Sequence, residues 1–143
     1  MEFPLDHIGI AVRSINEALP FYQALGFTLG HIEEVPSEQV RVGFLPLPNG
    51  GNIELLEATS QNSPVSRFID KRGPGVHHLC FQVKDLQAVL VDLKKRGMRL
   101  INETPKKGAH GCLVAFIHPS SAGGVLVELS QKEVDSSGVK HAE

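Results

Sequence analysis

Cysteine, long apolar runs and an excess of one charge are all scarce in this chain. The two cysteines, Cys80 and Cys112, lack metal-site spacing, so we expect reduced structural thiols rather than a disulfide framework or a cysteine-bound metal. No apolar run approaches the length of a membrane span, and no charged segment followed by an apolar one indicates a leader. The sequence therefore predicts a cytoplasmic protein, or else the mature form of an organellar one, with no membrane partner.

Charge is nearly balanced, with 14 basic and 16 acidic residues and a formal net charge of −2. The basic residues form no stripe, and their longest runs are 94–96 and 106–107. We therefore expect no nucleic-acid partner.

The 143 residues have the length of one domain, and the 41% that are hydrophobic can supply its core. We predict a single domain over 1–131 and a flexible tail over 132–143.

An internal repeat is the most informative feature that is present. The segment around His7 aligns with the segment around His78, which lies 71 positions later. Glu54 aligns with Glu128 at a larger offset of 74 positions, which is expected if the second half contains loop insertions. Each half thus carries one histidine near the start of its first strand and one glutamate inside its last strand.

Both halves show the order β-α-β-β-β, which predicts an α+β protein made of two tandem modules. Module one covers about 4–59, a linker with a short helix covers 60–75, and module two covers about 76–131. Ser14 and Asp85 are expected to cap the module helices, which are followed by Gly26 and Gly97. The predicted strands are 5–12, 27–35, 40–46 and 52–58 in module one and 77–83, 99–102, 112–118 and 124–130 in module two, with the linking helix at 64–71.

Strand alternation places the repeated histidines and glutamates on one face. In the first strand of each module the large apolar residues have the opposite parity to His7 or His78. Apolar residues also flank both glutamates. A carboxylate in such surroundings is costly to bury unless it is paired or metal-bound. His7, Glu54, His78 and Glu128 are therefore candidate ligands of one divalent metal ion, since imidazole and carboxylate suit Zn, Co, Ni, Fe or Mn. His77 has the opposite parity to His78, which favours a hydrogen-bonding role beside the ligand or a surface position.

The two strand openings share the pattern HxxxxV, in residues 7–12 (HIGIAV) and 78–83 (HLCFQV). Paired βαβββ units with this opening resemble the vicinal oxygen chelate superfamily of glyoxalases, dioxygenases, drug-resistance proteins and epimerases. The segments 53–64 (IELLEATSQNSP), 68–78 (FIDKRGPGVHH) and 118–129 (HPSSAGGVLVEL) together resemble the methylmalonyl-CoA epimerases in particular. The resemblance extends over nearly the whole chain. It implies a glyoxalase/bleomycin-resistance-like fold, in which the modules form a curved mixed sheet around a central metal site.

The resemblance also implies an activity and roles for single residues. His7, His78 and Glu128 match metal ligands, and Glu54 matches a fourth ligand that binds directly or through water. Glu38 falls where the family places a catalytic glutamate, and Glu128 would be the second base. The implied enzyme interconverts (R)- and (S)-methylmalonyl-CoA by two-base 1,1-proton transfer through a metal-stabilised enolate. It would use one divalent ion (Co, Zn, Ni or Mn), take a small-molecule acyl-CoA substrate and form a homodimer.

Other members of the superfamily provide alternatives. A glyoxalase I-type lactoylglutathione lyase would use the same ligand set on the same fold. A related metal-binding or drug-resistance protein is a non-catalytic alternative. An Fe(II) oxygenase would use His7, His78 and Glu128 as a facial triad and leave Glu54 unexplained. The segments 53–64 and 118–129 favour the epimerase.

Overall fold

Eight strands and three α-helices are found in the computed structural model, which describes residues 2–132. These residues divide into two units, residues 6–78 and residues 2–5 together with 79–132. The tail predicted over 132–143 lies outside the described residues, apart from residue 132. The elements in chain order are β1 (Leu5–Val12), α1 (Ile15–Ala24), β2 (His31–Val35), β3 (Val40–Pro46), β4 (Asn52–Ala58), α2 (Pro64–Arg72), β5 (Gly75–Gln82), α3 (Leu86–Lys95), β6 (Lys106–Lys107), β7 (Leu113–Ile117) and β8 (Leu126–Gln131).

The unit of residues 6–78 contains strands in the hydrogen-bonded order β2-β3-β4-β1. β1 runs parallel to β4, with Gly9 opposite Glu54, and the other pairs are antiparallel. Apolar side chains alternate between the two faces. Ala11 packs with Val65 of α2 on one face, whereas Val12 packs with Ile15 of α1 on the other. His7 shares the parity of Ala11 and so belongs to the face that α2 covers.

The second unit repeats this plan with the strand order β5-β8-β7-β6. Its core joins Leu86 and Leu90 of α3 to apolar residues of β7 and β8, among them Leu129. Glu128 is opposite Phe116 in the β7–β8 ladder and alternates with the core residue Leu129. The Glu128 side chain therefore belongs to the face of β8 away from α3, as predicted.

Helix ends follow the local signals of the sequence. The Ser14 hydroxyl accepts a hydrogen bond from the Glu17 N–H at 3.3 Å, and the Asp85 carboxylate accepts one from the Ala88 N–H at 3.1 Å. Each cap satisfies an N–H that has no partner inside its helix. Gly97 follows α3 with a φ of 82°, a conformation that glycine adopts without steric cost. The predicted caps are confirmed.

The predicted strand 27–35 is too long, because β2 begins only at His31. The Phe27 N–H still donates to the Tyr22 carbonyl of α1, at 3.0 Å, which keeps the chain attached to the helix end. Pairing with β3 begins further on, where the Gly30 N–H donates to the Phe44 carbonyl at 2.8 Å. Hydrogen bonding at the helix C-terminus therefore overrides the β propensity of these residues.

The strand predicted at 99–102 is wrong as a regular strand, since only Leu100 forms a bridge, to Ile117. The Asn102 side chain accepts the hydrogen bond of the Phe116 N–H at 2.9 Å, in place of a backbone carbonyl. This side-chain contact interrupts the ladder, and the second strand of the unit is the two-residue β6 instead. The order β-α-β-β-β still holds, and the α+β class is confirmed.

None of the helices in residues 2–132 combines the length and apolar character needed to cross a membrane. Within the same residues, Cys80 and Cys112 are not joined in a disulfide.

Candidate metal centre

Two imidazole rings meet in the unit of residues 6–78. The Nε2 atoms of His7 and His78 lie 2.9 Å apart, and the rings are perpendicular, with centroids separated by 5.0 Å. His7 comes from β1 and His78 from β5, so residues 71 positions apart in the sequence converge. The structure thus brings together the two histidines that the repeat predicts as ligands.

Gly9 makes room for this approach. A Cβ atom on Gly9 would lie 2.3 Å from Cε1 of the His78 ring, far inside van der Waals contact. Any side chain at this position would therefore displace the ring. Gly9 and His7 also share one parity on β1, so the missing side chain leaves the space beside His7 to the second imidazole.

Glu54 lies beside the same pair. Its Oε2 atom is 3.2 Å from Nδ1 of His7, and the two side chains are only 14% and 12% exposed. The parallel register, with Gly9 opposite Glu54, brings the carboxylate to the His7 face. Three of the four predicted ligands, His7, Glu54 and His78, are therefore neighbours within one unit.

These donors fit a divalent metal ion of the kind that the sequence predicts. Neighbouring imidazole nitrogens about 2.1 Å from a metal, at right angles, are about 3 Å apart, which matches the His7–His78 separation. Burial, together with His7 and His77, lowers the pKa of His78 to about 3. A neutral imidazole keeps a lone pair for coordination at any physiological pH. His7 and His78 would hold the ion through their Nε2 atoms, whereas the Glu54 oxygen lies at Nδ1 of His7.

The two predicted bases come from a turn before β3 and from β8. Glu38 is exposed in a 3-10 turn, Pro36–Glu38, between β2 and β3. Gln39 ends this turn in the left-handed region with a φ of 52°, and its carbonyl accepts a hydrogen bond from the Thr59 N–H at 2.8 Å. The turn is therefore fixed to the end of β4. Glu128 belongs to the other unit, on β8.

Sequence reasoning missed Asp6. Its Oδ2 atom lies 2.7 Å from Nδ1 of His7, closer than the Glu54 carboxylate. His77 occupies the same place before the second histidine, and its Nδ1 lies 3.0 Å from Nδ1 of His78. Burial and the Arg72 charge lower the pKa of His77. The predicted hydrogen bond of His77 to the neighbouring ligand candidate is confirmed. Asp6 aligns with His77 in the internal repeat, and this alignment could have predicted that Asp6 contacts His7.

Comparison with known proteins defines the class. Residues 6–116 match the family model described as "Glyoxalase/Bleomycin resistance protein/Dioxygenase superfamily". The chain belongs to this superfamily. The predicted glyoxalase-like fold is therefore confirmed, in agreement with the two βαβββ units.

Relatives within the superfamily narrow the class. The mitochondrial methylmalonyl-CoA epimerase of Bos taurus is 40% identical over 89% of this chain and 73% of its own length. The ethylmalonyl-CoA/methylmalonyl-CoA epimerase of Cereibacter sphaeroides is 40% identical over 89% of this chain and 96% of its own length. A variant of the Streptomyces coelicolor methylmalonyl-CoA epimerase, in complex with 2-nitronate-propionyl-CoA, superposes with a TM-score of 0.77, at 34% identity over 92% of this chain and 98% of its own. The resemblance to epimerases is confirmed, and with it the prediction that the chain is an enzyme.

Replacing Gly9 tests the packing at the histidine pair. We expect Gly9→Ala to lower the affinity for Zn²⁺ at least about 10-fold, because the new methyl group must push the His78 ring away from His7. Competition with a chromophoric chelator measures the affinity. Gly30→Ala is the matched control, since its Cβ would lie 3.4 Å from the nearest atom, an ordinary contact. An unchanged affinity in a folded Gly9→Ala protein would contradict the described ring position.

The depressed pKa of His78 predicts how the stability of the metal-free protein depends on pH. The pKa is about 3 in the folded state against the ordinary histidine value of 6.5, so the unfolded chain binds more protons between these limits. The free energy of unfolding should therefore fall as the pH is lowered from about 6.5, by at most about 1.4 kcal/mol per pH unit from this group. Urea unfolding at pH 7, 6, 5 and 4 measures the slope. His78→Gln should flatten it, and an identical slope would refute the assignment to His78.

Proposed function

We propose that this protein is a metal-dependent epimerase that interconverts the (R) and (S) forms of methylmalonyl-CoA. The observation that carries the proposal is the meeting of His7, Glu54 and His78 in a chain that is 40% identical to epimerases of this name. The complex of a related epimerase with an acyl-CoA compound supports a small-molecule acyl-CoA substrate. The predicted homodimer and cytoplasmic location stay predictions.

The ligand set of the proposal is His7, Glu54, His78 and Glu128. Glu128 joins the other three because it aligns with Glu54 in the internal repeat and belongs to the face of β8 away from the α3 core. One divalent ion (Co, Zn, Ni or Mn) held by these residues would act as a Lewis acid, which stabilises negative charge on the oxygen of an enolate by several kcal/mol.

The protein's own side chains carry the proton. The acidic carbon of the substrate lies between a thioester and a carboxylate, and inverting it requires a base on each of its faces. Glu38 and Glu128 are the proposed pair. One carboxylate removes the proton from one face, and the other, in its protonated form, returns a proton to the opposite face. The exposure of Glu38 supports this role, because a carboxylate in a fixed surface turn can be reached by a substrate.

Solvent exchange tests the activity directly. We expect the protein loaded with Co²⁺ or Zn²⁺ to introduce deuterium at the α-carbon of methylmalonyl-CoA in D₂O, because proton removal and return both pass through groups that exchange with solvent. Mass spectrometry measures the incorporation. Methylglyoxal with glutathione serves as the parallel substrate, and turnover of that pair without deuterium in methylmalonyl-CoA would show a glyoxalase instead.

Glu38→Gln tests the two-base assignment. The amide cannot accept a proton, so we expect exchange of the α-proton from one epimer to be lost while the metal content stays unchanged. Single-epimer substrates followed by NMR in D₂O distinguish the two faces. Glu34→Gln is the matched control, since Glu34 is an exposed carboxylate on β2 paired with Arg41. Exchange from both epimers by Glu38→Gln protein would refute the role of Glu38.

A further inference from the structure

The hairpin loop that carries Glu38 ends on a residue with an unusual backbone conformation. Residues 36–39 join β2 to β3, and Val35 pairs with Val40 where the loop closes. Gln39, the last residue of the loop, has a φ of 52° and a ψ of 50°, in the left-handed region. Glycine adopts this conformation without steric cost, whereas glutamine does not. A glutamine at this position therefore indicates that its side chain has a use.

The Gln39 side chain contacts the segment that follows β4. The Ser60 hydroxyl donates a hydrogen bond to Oε1 of Gln39. The backbone of Gln39 makes two further hydrogen bonds: its N–H donates to the Pro36 carbonyl at 3.1 Å, and its carbonyl accepts from the Thr59 N–H at 2.8 Å. The bond to Pro36 closes the loop without help from a side chain. The contact with Ser60 is additional, and it joins the Glu38 loop to the residues that lead into α2.

Ser60 is itself held by the turn that begins α2. Its hydroxyl accepts a hydrogen bond from the Asn62 N–H at 3.1 Å, and its carbonyl accepts one from the Ser63 N–H at 3.3 Å. Ser63 is fully buried and caps α2, since its hydroxyl accepts a hydrogen bond from the Val65 N–H at 3.2 Å. Val65 packs in the core on the same face of the sheet as His7. The hydroxyl that contacts Gln39 is therefore tied to a packed helix.

We propose that Gln39 is a positioning residue for Glu38. Its side chain, held by Ser60, keeps the loop and with it the Glu38 carboxylate in one place relative to the substrate. This inference rests on the proposed function, in which Glu38 is the base for one face of the acidic carbon. Proton transfer needs a base within hydrogen-bond reach, and a misplacement of about 1 Å can slow a reaction about 100-fold. Gln39 acts through Glu38 and does not touch the reacting atoms.

The two-base reaction makes this role distinguishable from a purely structural one. Glu38 serves one face of the carbon and Glu128 serves the other in the proposed function. Loss of the contact between Gln39 and Ser60 should therefore slow removal of the α-proton from one epimer only. A residue that merely stabilises the fold would affect both epimers alike, because it would change the amount of active protein.

Gln39→Gly removes the side chain and keeps the backbone, since glycine retains the left-handed conformation. The epimer served by Glu38 is the one whose exchange Glu38→Gln abolishes. We expect its α-proton exchange in D₂O to fall about 10- to 100-fold, with the other epimer and the Zn²⁺ content unchanged. NMR with single-epimer substrates measures both rates. Gln61→Gly, at an exposed glutamine next to Ser60, is the matched control and should change neither rate. Equal slowing of both epimers, or of neither, would refute the positioning role.

Ser60 provides the same test from the other side of the contact. Ser60→Ala should reproduce the one-sided loss, and Ser60→Thr, which keeps the hydroxyl, should not. Combining Ser60→Ala with Gln39→Gly should add little further loss, because both changes remove one contact, and fully additive losses would refute it. If Glu38→Gln loses exchange from one epimer and Gln39→Gly does not, the positioning role fails and the base stands. If Glu38→Gln keeps exchange from both epimers, the base assignment itself fails, and the role of Gln39 with it.

Discussion

The 2.9 Å approach of His7 Nε2 to His78 Nε2 is the interaction on which the rest of the site depends. Two imidazole nitrogens this close are stable only with a proton or a metal ion between them, because two facing lone pairs repel each other. Burial disfavours a charged ring, since the pKa of His78 is lowered to about 3. A proton shared between neutral rings and a metal ion are therefore the two states open to the pair.

Backbone features of β1 create this constraint. Gly9 removes the one side chain that would occupy the His78 ring position, and the parallel pairing of β1 with β4 brings Glu54 to the same face. Val12, which has the opposite parity to Gly9 on β1, packs in the core beside α1. Residues of one parity on β1 therefore pack in the core, and residues of the other parity form the metal site. The apolar core can be packed without burying the polar ligands in it.

Much of this could be predicted from the sequence, because the signals are local. Ser14 and Asp85 identify the helix starts, and alternation identifies the ligand face. The strand predicted at 99–102 failed because of a contact between distant residues: the Asn102 side chain interrupts the ladder at Phe116, and nothing near Asn102 in the sequence indicates this. The contact of Asp6 with His7 is likewise invisible to strand parity, which would place neighbouring side chains on opposite faces.

The internal repeat explains why a histidine occurs at the same position of both halves. The differences between the two repeats explain why the two histidines have different surroundings. A carboxylate precedes one histidine and an imidazole precedes the other, so His7 has a negative partner at Nδ1 whereas His78 has an imidazole there. The carboxylate raises the electron density of the His7 ring, and His78 gains no such charge from His77. The two repeated positions therefore carry the same ligand type with unequal electronic support.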